Sequence, residues 1–152
     1  MMNEEKNRVS TEIFAIYFSP YSAHAISFEG KIYPTCEHAY QASRYEDQSI
    51  QEEIRTAMSP KLAWELSQKY KHLQNPDFNE KRVEVMKNFC RLKIQQQEDV
   101  RNALAESKKL SIVKHITTGP PGDGFWCDGV RGEGENHYGK IWIKLREEML
   151  LQ

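Results

Sequence analysis

No apolar run approaches the roughly 20 residues a bilayer-spanning helix requires; stretches such as Ile13 to Phe18 are far shorter. The opening segment, Met1 to Ser10, is polar and mixed in charge, unlike a secretory leader, so it is expected to be flexible and the protein cytoplasmic. Cysteine is scarce: the three, at 36, 90 and 127, are odd in number and too widely spaced for a CxxC knuckle. Neither a disulfide framework nor a zinc site is expected, and the thiols should stay reduced. Excess charge of one sign is also missing, with 21 basic against 22 acidic side chains and a net charge of -1. No global basic field exists to gather nucleic acid, so any such contact must be local. The HExxH, GxSxG, GxGxxG and Walker patterns are absent, and no metal or redox cofactor is expected.

What is present suffices for a globular fold. The 152 residues, 39% hydrophobic and 28% charged, suit one domain over 1–152 and fit neither disorder nor two independent cores. No repeat or low-complexity linker divides them. The run Ile13 to Phe18 reads as a buried strand. Ala25–Phe28 and Lys31–Tyr33 flank Glu29-Gly30 as a hairpin. Thr35 is placed to cap a helix from Cys36 to about Asp47. Further helices are expected over 50–57, from Ser59-Pro60 to about Tyr70, from Asn79 to about Gln97, and briefly over 99–107. Leu110 to Ile116 returns to strand character. The spacing of Tyr138, Ile141, Trp142, Leu145 and Met149 gives a closing amphipathic helix over 137–150. The fold class is α+β, mainly helical, with a small sheet.

The least ordinary segment is 117–136, a long irregular stretch of the kind that usually carries function. Seven of the eight glycines fall between 119 and 139. Glycine allows close backbone approach to a ligand, and Asn136 stands where it can cap a helix whose free N–H groups favour a phosphate.

Several side chains can carry chemistry. Glu37, Gln41, Arg44 and Gln48 recur at i, i+4, i+7 and i+11, so a continuous helix aligns them on one stripe. That stripe is either a solvated face or the polar wall of a site over which Phe18-Ser19 and the glycines fold. A carboxylate in the first helical turn favours its ionised form, which suits a base or a stabiliser of positive charge. Lys93 lies beside Phe89 and Cys90 on the buried side of its helix. It either snorkels to solvent or meets an anion, such as a phosphate or the Glu37 carboxylate. Trp126 either plugs the core or stacks on a planar ligand. Asp128, beside Gly129, is either a turn residue or a contact to a sugar or leaving group. A Cys36 nucleophile served by His38 or His115 is a rival reading, opposed by the two-residue spacing of Cys36 and His38, which points them to different sides of a helix. His24, His72 and His137 read as surface or capping residues.

The order of motifs resembles the YbiA/NADAR family: Phe18-Ser19, Gly30-Lys31-Ile32-Tyr33-Pro34-Thr35, Glu37-His38-Ala39-Tyr40-Gln41-Ala42, Trp126-Cys127-Asp128-Gly129 and Gly134-Glu135-Asn136. The pairing of Glu-His-x-x-Gln-Ala with a later Trp-x-Asp-Gly is the specific part. The resemblance implies hydrolysis of a ribose C1′–N bond, in phosphoribosylamino intermediates of riboflavin synthesis or in ADP-ribose attached to guanine. It implies Glu37 as catalytic carboxylate, with Trp126, Asp128 and Asn136 lining the pocket and Lys93 kept as the family lysine on the long helix. Two departures stand out: Arg44 where the family usually has lysine, and Cys127 in place of a glycine. The expectation is an N-glycosidase with Glu37, Asp128 and Lys93 catalytic and Phe18, Ser19, Gln41, Arg44, Trp126 and Asn136 binding substrate. Its partner is a small phosphorylated N-riboside, or else ADP-ribosylated nucleic acid, without a membrane or cofactor. The alternative is a binding module that holds a nucleotide or ADP-ribose without cleaving it.

Overall fold

The computed structural model describes residues 7–115, 124–129 and 132–151. The described residues are mainly helical, with one two-stranded sheet. They form two compact units: one holds residues up to Ser19 and those from Glu98 onward, the other Pro20–Gln97. Among the described residues no helix is long and apolar enough to cross a membrane.

The Pro20–Gln97 unit opens with the expected hairpin. Strands β1 (Ile26–Phe28) and β2 (Lys31–Tyr33) pair antiparallel, with Ser27 opposite Ile32. Glu29 and Gly30 take φ of 51° and 77° at the turn, the doubly left-handed geometry that matches strand twist. An isolated hairpin is marginal and its edges invite pairing. Here both edges are occupied by side chains. The Gln96 amide accepts from Ser27 N at 2.7 Å and donates to Ser27 O at 2.9 Å, while Arg55 donates to Ile32 O at 2.9 Å.

Four α-helices, α2 (Cys36–Ala42), α3 (Gln48–Arg55), α4 (Pro60–Lys69) and α5 (Phe78–Gln96), and a single 3-10 turn over Lys71–Leu73 follow in this unit. Their starts follow from local chemistry. Thr35, Asp47 and Ser59 each accept a backbone N–H of the first turn, and Pro60 occupies the first helical position of α4, where no N–H is needed. Helix α2 stops at Ala42, five residues before the expected end, because Ser43 closes it and Asp47 opens α3. It packs against α3, α4 and α5, and all seven of its residues are buried.

The other unit corrects two expectations. Ile13 to Phe18 is not a strand: α1 (Thr11–Ile13) leads into a π-helical turn over Phe14–Phe18. The Ser10 side chain caps it by accepting from Ile13 N at 3.1 Å. A short apolar run carries no period that separates strand from buried helix, and the cap decided. Leu110 to Ile116 is not a strand either; Ser111 forms a single bridge with Arg8, and Ile116 lies outside the described residues. Of the opening segment, 1–6 lie outside them too, while Val9 is buried and donates to Ser111 O at 2.8 Å. Helices α6 (Glu98–Glu106) and α7 (His137–Leu150) supply the core, where the Trp142 and Phe18 ring centroids lie 4.9 Å apart and Leu104 and Leu145 are buried.

Candidate functional site

The first turn of α2 is built on Thr35 and His38. Thr35 Oγ1 accepts from His38 N at 3.2 Å and lies 2.8 Å from His38 Nδ1. His38 Nε2 lies 3.0 Å from the Ala57 carbonyl, which only accepts, so this nitrogen carries the proton and the Thr35 hydroxyl donates to Nδ1. Burial holds the His38 pKa below its ordinary value, outweighing the Ala57 hydrogen bond. The ring is thus a neutral brace.

That brace fixes the helix carrying Glu37, whose own N–H donates to Pro20 O at 3.1 Å. Glu37 and Gln41 are only 7% and 2% exposed, so this part of the stripe is no solvated face. Gln41 Nε2 donates to Glu37 Oε1 at 2.8 Å, and Arg44 Nε donates to Gln41 Oε1 at 2.9 Å. The chain Arg44→Gln41→Glu37 fixes the orientation of the Gln41 amide and the rotamer of the carboxylate. Arg44 follows the helix end instead of extending the helical stripe, and Gln48 sits exposed at the start of α3. The Arg44 guanidinium lies over the Tyr40 and Phe78 rings at 5.0 and 4.6 Å and donates to Gln74 Oε1 at 3.1 Å and Tyr40 Oη at 3.2 Å. Three of its five N–H groups are thereby engaged within the protein.

Lys93 does not snorkel. It is 1% exposed, and its Nζ donates to Ser22 Oγ. Ser22 Oγ also lies 3.0 Å from His24 Nδ1. Tyr21, between Pro20 and Ser22, has its phenol pKa pushed up to about 12, by burial first and then by the charges of Glu37 and Glu65. The Cys36 thiol is buried and faces Phe89 O at 3.7 Å. A hydrogen bond with Cys90 draws its pKa below the ordinary value despite burial. Both ring nitrogens of His38 are committed elsewhere, to Thr35 and Ala57, so the Cys36–His38 pairing does not form.

The other unit carries the remaining expected residues. Phe18 is wholly buried, and its carbonyl accepts from Tyr138 Oη, so its ring is core and not an open face for a ligand. Ser19 donates its N–H to Phe14 O at 2.8 Å and closes the π-helical turn. Trp126 is half-buried, with its ring perpendicular to Phe125 at 5.0 Å. Asp128 Oδ2 accepts from His115 Nδ1 at 2.7 Å and lies 4.0 Å from Arg8. Asn136 has φ of 50° and makes no side-chain cap on α7. Instead its Oδ1 accepts from Lys114 N at 2.9 Å and its Nδ2 donates to Ile112 O at 3.0 Å. Gly139 makes room for this clasp: a Cβ there would stand 2.0 Å from Ile112 O. A methyl at Gly134 would likewise meet Cys127 O at 2.4 Å, so these two glycines admit the protein's own backbone. Gly119 and Gly122 lie outside the described residues.

Within one unit, therefore, the expected residues Glu37, Gln41 and Arg44 form one hydrogen-bonded chain, and Lys93 is joined to Ser22 and His24. Sequence reasoning missed Ser22 and Tyr21 and read His24 as surface or capping. The Pro20-Tyr21 step after the aromatic-Ser motif was the available signal. Among the described residues no group of three or more His, Cys, Asp or Glu side chains could hold a metal ion.

These features define a small, mainly helical α+β protein with a fixed, buried carboxyl group and a buried lysine. The NADAR domain family matches residues 3–150, and the chain belongs to that family. It is 30% identical to N-glycosidase YbiA of Escherichia coli over 135 residues, covering 89% of this chain and 82% of that protein. A riboflavin biosynthesis protein of Vibrio vulnificus is 33% identical over 125 residues, 82% of this chain and 33% of the larger protein. The NMR structure of E. coli YbiA superposes with a TM-score of 0.78 at 30% identity, covering 88% of this chain and 77% of that one.

Proposed function

We propose that the protein is an N-glycosidase that hydrolyses the C1′–N bond of a phosphorylated N-riboside. The observation that carries this reading is the Glu37 carboxylate, 7% exposed and locked by Gln41 and Arg44. Breaking an anomeric C–N bond builds positive charge on the sugar, and a preoriented anion in a dry setting stabilises that charge more than it stabilises the neutral ground state. Glu37 either faces the oxocarbenium-like centre or orients the attacking water. Lys93 and the two uncommitted N–H groups of Arg44 serve the phosphate.

The names of the E. coli and Vibrio relatives support the reaction class and make phosphoribosylamino pyrimidines the first substrates to try, with ADP-ribosylated guanine second. The test mixes purified protein with a panel of both classes and follows release of free base by mass spectrometry. Release by the wild type and its loss in Glu37→Gln are expected. Tight binding of a panel member without release would instead identify a binding module, and undiminished release by Glu37→Gln would overturn the assignment of the carboxylate.

A further inference from the structure

A lysine buried to 1% exposure is costly to hold charged, and its N–H groups are costly to bury, unless they find partners. The Pro20–Ala25 segment supplies one such partner and a route from it to a partly exposed imidazole. Pro20 O is anchored on Glu37 N at 3.1 Å, and two residues later Ser22 Oγ, itself buried, meets Lys93 Nζ. The same hydroxyl oxygen lies 3.0 Å from Nδ1 of His24, which is partly exposed, and His24 N donates to Ser22 O at 2.8 Å to close the turn. Residues 22 and 93 are 71 apart in the chain, so the contact is a product of the fold.

Counting donors gives this chain a direction. The Ser22 hydroxyl has one proton and two lone pairs. When the Lys93 ammonium donates to Ser22 Oγ, the Ser22 proton points to His24 Nδ1, which then accepts. When His24 Nδ1 carries a proton and donates to Ser22, the hydroxyl can turn its proton toward a neutral Lys93 amine. The two states differ by one concerted shift: Lys93 Nζ gives a proton to Ser22 Oγ while Ser22 Oγ gives its own to His24 Nδ1. No atom is gained or lost, and the reverse shift recharges the lysine. The field of Lys93 also reaches the Cys36 thiol, which is hydrogen-bonded to Cys90 and next in sequence to Glu37.

We propose that Ser22 and His24 are positioning residues forming a proton relay that links the buried Lys93 amine to solvent, so that a proton Lys93 gives to an oxygen of the phosphate it holds, carried off with the product, is replaced from solvent through His24 and Ser22 before the next turnover. The proposal deepens the reading above and rests on Lys93 being part of that site.

Two measurements separate the relay from that reading. The first needs no substrate: hydrogen exchange at Lys93 Nζ, followed by NMR on lysine labelled with ¹⁵N. Exchange should slow by about tenfold or more in His24→Ala and Ser22→Ala, return with added imidazole in His24→Ala, and stay near wild type in Ser22→Thr, which keeps a hydroxyl. Equal exchange in wild type and both alanine variants overturns the relay. The second uses turnover. Loss of steady-state rate in His24→Ala with an unchanged single-turnover rate, restored by imidazole, supports the relay; a loss that imidazole does not restore counts against it. Wild-type kinetics in Lys93→Met would remove the lysine from the proposed site whatever the exchange data show.

Discussion

Helix α2 and the glycine-rich segment around Asn136 both looked like places where polar side chains meet a ligand, yet they are built differently. Along α2 and just past its end the polar groups bond one another: Arg44 holds Gln41, and Gln41 holds Glu37. Around Asn136 the polar side chain holds backbone, with both ends of the amide committed to the 112–114 stretch. A side-chain chain can trade one partner for substrate while the helix stays intact. A side chain clasping backbone cannot let go without loosening the loop it ties down. The same residue types are therefore suited to chemistry in one region and to architecture in the other.

This contrast can be broken by substitution. The largest effect is expected for Glu37→Gln, which keeps an oxygen to accept from Gln41 and so keeps the fold, while removing the charge. Steady-state hydrolysis should fall by about 10² to 10³-fold with an unchanged circular dichroism spectrum. Asn136→Ala should act on stability, since Ile112 O and Lys114 N both lose their partner; urea denaturation is expected to show a loss of about 2 kcal/mol. If Asn136→Ala melted like the wild type, the clasp would carry no structural weight and the contrast would collapse.

His38 sharpens the picture through pH. Its folded pKa lies below the ordinary 6.5, so between those two values the unfolded chain binds more protons than the native one, and stability falls as the pH drops through that window. The stabilisation is complete above 6.5. Thermal melts should show this acid-side fall in the wild type and a shallower one in His38→Gln, which can still donate to Ala57 O. The smallest effect is expected for Ser59→Ala, which removes only the α4 cap and should cost about 1 kcal/mol by denaturant titration.

Where the chain announces its own turns, it could be read. The Glu29-Gly30 hairpin, the Thr35 cap and the Ser59-Pro60 start each follow from one or two neighbouring residues, and the mainly helical class with a small sheet follows from them. The two misread strands failed for opposite reasons. Ile13 to Phe18 had a local answer, the Ser10 cap, masked by an apolar run without period. Leu110 to Ile116 depended on a partner a hundred residues away, and Arg8 supplies a single bridge where a strand needs a ladder. The site divides in the same way. Gln41 lies one helical turn from Glu37 and was visible as spacing. The lysine's serine partner, and the imidazole beyond it, come from the loop before β1, and no spacing rule reaches across 71 residues.

The side chains that seal the hairpin have a consequence for how the protein behaves in a crowded solution. Gln96 and Arg55 occupy the outward-facing backbone groups at which a second molecule would add a strand. Replacing either with alanine would present bare peptide groups to other copies, and slow self-association on storage would be the first sign.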